Sequence, residues 1–161
     1  VCSDWEGASA NLPDEVRHVY LRSGIVLSGT GGALGKMLLP FKMGAGGPMG
    51  NGKQWMSWIS LDDEIYAIHH LLMETGSKGV YNLTAPNPVR QKTFAKTLGR
   101  VLKRPAFAPL PGFVIKILFG EMGVKLTLES QKVFPDRLLK EGYEFLHPEL
   151  DTALQDTLGL W

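Results

Sequence analysis

The chain has a single cysteine, Cys2, among its 161 residues. No disulfide can close within it, and nothing in its composition points to an oxidising compartment. It also has no excess of charge of one sign: 17 Lys and Arg face 16 Asp and Glu, a formal net charge of +1. That balance removes the electrostatic case for a nucleic-acid partner or an anionic membrane surface. No apolar run approaches the roughly eighteen residues of a membrane span. The opening Val1-Cys2-Ser3-Asp4-Trp5-Glu6 lacks a signal-peptide layout and reads as a helix already under way, with Trp5 on its buried side. No Gly-x-Ser-x-Gly is present, so hydrolase chemistry has little support. His69 and His70 lack Cys or acidic partners at ligand spacing, and His18 and His147 are isolated, so no metal site is expected.

What the chain does have is 44% hydrophobic residues, enough for one core, and a regular alternation of strand-like and helix-like segments. The run Gly50 to Asp63 carries the most information. It reads as a glycine-rich loop, a strand over 56–61, and a helix over 62–75 capped by Asp62 or Asp63. Upstream, residues 17–27 form a strand in which Gly24 invites a bend. Residues 33–43 form a helix with Leu34, Met37, Leu38 and Phe41 on one face. Downstream come a strand over 79–84, a helix over 89–103, a short strand over 107–110 and an apolar helix over 112–120. A helix over 130–140, a strand over 143–146 and a final amphipathic helix over 149–158 complete the reading. Strands alternating with helices make this an α/β chain.

Several segments in order carry a resemblance. They are Leu21-Arg22-Ser23-Gly24-Ile25-Val26-Leu27, Gly31 to Phe41, Gly46 to Gly52, Thr84-Ala85-Pro86-Asn87-Pro88-Val89-Arg90, Leu110-Pro111 and Gly120-Glu121. The series resembles the NAD(P)-dependent epimerase-like family of the extended short-chain dehydrogenase/reductase superfamily, the group labelled as SulA-type cell-division-inhibitor homologues. It covers the chain from about Trp5 to Leu158, and it is a resemblance to the C-terminal part only. It implies the end of a Rossmann-like parallel sheet, holding residues 17–27 and 79–84, plus a small mixed substrate-side domain. The implied N-terminal dinucleotide-binding half, with its phosphate-holding turn, is absent from this sequence. The run Gly29 to Gly35 has the local context of such a turn, but no acidic residue follows at the end of a second strand. It reads as a flexible turn before a helix. The Tyr-x-x-x-Lys pair that moves the proton in the parent superfamily is also missing, since Tyr20, Tyr66, Tyr81 and Tyr143 each lack a Lys four positions on. An exposed sheet edge is therefore expected, covered by the missing half or by another chain.

The resemblance also implies site residues. Gly24, Ile25, Val26 and Leu27, at the carboxyl end of a strand, are the cofactor-contact positions for NADP or NAD, bound only with the missing half. Lys42, Lys53 and Gln54 flank the glycine loop that wraps the substrate in similar epimerases. Trp55 and Trp58 pack the domain, and Trp58 is placed on the substrate side as well. Those epimerases carry an Arg two residues after the Gln to clamp a diphosphate. Met56 stands there instead, which argues against a sugar-nucleotide substrate. Ser60 stands where similar chains read His. No catalytic residue is assigned. Two function classes follow: the substrate-side part of an epimerase or oxidoreductase, or a non-catalytic binding or assembly subunit that keeps the fold. Cytosol and chloroplast are the compartments the resemblance implies.

Overall fold

The computed structural model describes residues 15–107, 109–110, 115–117 and 130–160, together with the single positions 4, 7, 13 and 120. The elements in chain order are β1 (Val19–Ser23), β2 (Ile25–Leu27), α1 (Gly32–Lys42), β3 (Trp55–Met56), β4 (Trp58–Ser60) and α2 (Leu61–Met73). They are followed by β5 (Gly79–Leu83), β6 (Val89–Arg90), α3 (Gln91–Val101), α4 (Asp136–Lys140) and α5 (Leu150–Leu158). The architecture is mixed α/β, as expected.

The strand expected over 17–27 is two strands that serve different partners. β1 runs parallel to β5, with Val19 opposite Gly79 and Ser23 opposite Leu83. β2 runs parallel to β4, with Ile25 opposite Trp58 and Leu27 opposite Ser60. The exchange happens at Gly24: its N–H donates to the Leu83 carbonyl at 2.9 Å, and the next N–H, of Ile25, donates to the Ser57 carbonyl at 2.8 Å. A Cβ at Gly24 would stand 2.7 Å from the Ser57 carbonyl oxygen, so glycine is required by the close approach of backbone.

β2 and β4 form a wall between two cores. Side chains on a strand alternate between faces. Leu27 and Trp58 join a core with Leu34, Met37, Phe41 and Phe94. Ile59 joins the other, with Ala67, Leu71, Tyr81, Leu83 and Leu138, and Val26 packs against it. α1 presents to the first core the face read from sequence: Leu34, Met37, Leu38 and Phe41 are all buried.

Other expectations are corrected. The helix expected from 62 is capped by Ser60, whose hydroxyl accepts the Asp63 N–H at 3.0 Å, and not by Asp62 or Asp63. The helix expected over 89–103 begins at Gln91, because Val89 and Arg90 pair antiparallel with Met56 and Trp55. The helix expected over 130–140 begins at Asp136. Residues 130–133 instead lie beside β3: the Gln131 N–H donates to the Trp55 carbonyl, and the Val133 N–H to the Ser57 hydroxyl. Residues 143–146 form no strand, because the Leu146 N–H is taken by the Asp63 carboxylate. The segment expected as a strand over 107–110 has one bridge, Leu110 to Met49, and the helix expected over 112–120 falls largely outside the described residues. Trp5 also lies outside them. Among the described residues no helix is long and apolar enough to cross a membrane. Those residues give the β1–β5 pair no third strand, and Leu21 on β1 is 41% exposed.

Candidate functional site

At Gly24, at the carboxyl end of β1, the chain leaves one strand pair for another. Open α/β sheets hold ligands outside the carboxyl ends of their strands. Gly24, Ile25 and Val26 are half-buried there, whereas the Leu27 side chain is fully buried in the first core. Beside them the exposed Ser23 hydroxyl donates to Glu64 Oε1 at 2.5 Å. Burial raises the Glu64 carboxyl above its usual range, and the bond from Ser23 opposes that rise. Ser57 lies against the strand turn, its carbonyl accepting the Ile25 N–H. Its hydroxyl donates to the Gln131 carbonyl and accepts the Val133 N–H, both at 2.9 Å, and this fixes the 130–133 segment against the strand turn.

The residues read as substrate-side differ in burial. Lys42 ends α1 and is exposed. Lys53 is exposed, and its carbonyl accepts from the Arg90 guanidinium. Gln54 is buried and organises the glycine loop: its Nε2 donates to the Met49 carbonyl at 2.9 Å, while the Met49 N–H donates to Gln91 Oε1 at 2.8 Å. Trp58 is fully buried, and its indole N–H donates to the Asn87 carbonyl at 3.1 Å. In this geometry Gln54 and Trp58 hold the loops in place. Met56 is 6% exposed and faces the first core, so the position of the epimerase Arg is a packing position here.

Sequence reasoning missed three groups. The first is Asp63, a fully buried carboxylate. It accepts from the Ser60 hydroxyl at 2.9 Å, the Leu146 N–H at 2.7 Å and the His147 N–H at 3.0 Å. The Tyr143 hydroxyl donates to the Asp63 carbonyl at 3.0 Å. Burial first, then the Asp63 charge, pushes the Tyr143 phenol well above its usual range. The Ser60-x-x-Asp63 spacing, a capping-box variant, was the available signal. The second is a row on β3 and β6, in which the Arg90 guanidinium lies 4.0 Å and the Lys132 ammonium 4.4 Å from the Trp55 ring centroid. No local sequence pattern joins residues so far apart. The fold also brings Asp62, His147 and Asp156 to within 4.8 Å of one another, a gathering that sequence spacing did not reveal. His147 Nε2 lies 3.3 Å from Asp156 Oδ2, an ion pair when the imidazole is protonated.

Residues 110–157 match a family described as a domain of unknown function, DUF1731. The human epimerase family protein SDR39U1 is 46% identical over 156 residues, which cover 96% of this chain and 53% of the relative. The chloroplastic SDR39U1 homologue of Arabidopsis thaliana is 45% identical over 155 residues, 96% of this chain and 44% of the relative. The chain thus spans about half the length of the curated relatives it matches. A crystal structure of human SDR39U1, isoform 2, with NADPH superposes with a TM-score of 0.90 at 42% identity, over 98% of this chain and 53% of that one. A nucleoside-diphosphate sugar epimerase from Corynebacterium glutamicum gives 0.74 at 28% identity, over 98% of this chain and 30% of that one. The Thermus thermophilus UDP-glucose 4-epimerase, at 14% identity over 98% of this chain and 51% of that one, shares the fold with a TM-score of 0.66. At 46% identity over 96% of its length, the chain belongs, as the C-terminal part, to the epimerase family proteins of the extended short-chain dehydrogenase/reductase superfamily.

Proposed function

We propose that this chain is the substrate-side part of an NAD(P)-dependent epimerase- or oxidoreductase-like protein. In this reading Gly24, Ile25 and Val26 line the nicotinamide of NADP or NAD, and the backbone of Leu27 continues that wall. The observation that carries the reading is the likeness, over 98% of this chain, to a relative crystallised with NADPH. The local chemistry fits. The strand turn offers uncharged, half-buried residues to a ring. The cofactor supplies hydride chemistry when bound, and the protein supplies orientation. The pyrophosphate-holding turn belongs to the half of the relatives that this chain does not span. Met56 in the core supports a substrate other than a sugar nucleotide. The relative named as chloroplastic supports the plastid as one compartment for members of this family.

The test is a calorimetric titration of NADPH and NADH into a polypeptide that carries this chain with the preceding half. The expected dissociation constant is on the order of 1 μM, worth about 8 kcal/mol. Val26→Asp should weaken it strongly while Val26→Ile leaves it near wild type, with circular dichroism confirming that both are folded. Binding of neither dinucleotide would overturn the reading in favour of a non-catalytic binding or assembly subunit.

A further inference from the structure

Two exposed cations gather at Trp55, on the short β3–β6 pair. Trp55 and Arg90 are directly opposed in the antiparallel pair. The 130–133 segment runs beside Trp55: the Gln131 N–H donates to the Trp55 carbonyl at 3.2 Å, and the Trp55 N–H to the Ser130 hydroxyl at 3.1 Å. Two cations lie against one indole, with the Arg90 guanidinium 4.0 Å and the Lys132 ammonium 4.4 Å from its centroid. Both residues are exposed. The Arg90 guanidinium is further held by the Lys53 carbonyl, so its direction is fixed. Lys53 and Lys92, also exposed, stand two residues from Trp55 and from Arg90 respectively.

Like charges gathered on one ring repel, and the ring answers each only weakly. Carboxylate partners normally relieve such a cluster. Among the described residues, none of Lys53, Arg90, Lys92 and Lys132 has one, although the chain as a whole is nearly neutral. The row lies two residues along the strand from Ser57, whose carbonyl holds Ile25 at the candidate site.

We propose that Arg90 and Lys132, gathered at Trp55, form a binding site for an oxyanion: the phosphate or carboxylate group of a small ligand. A guanidinium offers paired donors to such a group, and the ammonium adds a second charge. The assignment does not depend on the cofactor reading, and the 161-residue chain itself tests it.

The experiment is a titration of the isotope-labelled chain with inorganic phosphate, pyrophosphate and citrate, following the Trp55 indole N–H by NMR. Saturating shifts are expected at millimolar ligand for at least one class, weakened roughly tenfold in Lys132→Ala and in Arg90→Gln. Lys36→Ala, exposed on α1, should bind as the unaltered chain does. Phosphate and pyrophosphate acting alone assign a phosphate ligand, and citrate acting alone a carboxylate. The proposal is overturned if no probe saturates below about 20 mM, a limit weaker than 3 kcal/mol. It is equally overturned if Lys132→Ala, confirmed folded by circular dichroism, binds every probe as tightly as the unaltered chain. The row would then be a stack that serves packing alone.

Discussion

Individual residues decide where this chain can bend and where it can hold charge. Gly24 was legible as a bend, but its cause was not, because the obstructing Ser57 carbonyl comes from a different strand. Gly24→Ala should lower stability by about 1–3 kcal/mol, since the obstruction is backbone and cannot rotate away. Gly76, with open space around its Cβ position, should tolerate Ala within about 0.5 kcal/mol. Urea denaturation of the two variants reads the contrast. Glu64 gives a pH signature. Its folded carboxyl is raised from 4.5, so between that value and the folded one the native state binds more protons than the unfolded chain. The stability it contributes is present below pH 4.5 and is lost as pH rises through the folded value. Glu64→Gln should therefore gain stability at neutral pH relative to the parent and lose that advantage near pH 4, as thermal melts at the two values would show.

At the scale of elements, amphipathic segments were the legible ones. α1 shows its buried face directly in the spacing of Leu34, Met37, Leu38 and Phe41, because a 3.6-residue period depends on neighbours in sequence. The short pieces were not legible. β3 and β6 have two residues each, and residues 130–133 read as helix until the hydrogen bonds of Trp55 and Ser57 hold them extended. The start of α2 illustrates the same limit: the acidic pair looked like the cap, yet the serine before it has the geometry. Ser60→Ala removes the acceptor for the Asp63 N–H and a donor to the buried Asp63 carboxylate. A loss of about 1–3 kcal/mol is expected in chemical denaturation, more than an ordinary exposed cap gives. A loss below about 0.5 kcal/mol would mean that Leu146 and His147 alone suffice to hold Asp63.

For the whole molecule, the fold class and family were legible because several separated segments kept their order, even though no single one was specific. The site was legible only in part. Gly24 is the bend that the sequence suggested, Gln54 and Trp58 are buried organisers of the loops, and the Trp55 row was invisible because it joins three distant segments. Since the chain spans about half of its curated relatives, the 161 residues alone should bind NADPH far more weakly than micromolar, as calorimetry on the isolated chain would show. The most direct test of the cofactor reading is an isotope-edited nuclear Overhauser measurement on the longer polypeptide saturated with NADPH. Cross-peaks from the nicotinamide ring protons to the methyl groups of Ile25 or Val26 are the predicted result. Saturable NADPH binding with no cross-peak to any residue from Gly24 to Leu27 would contradict the account.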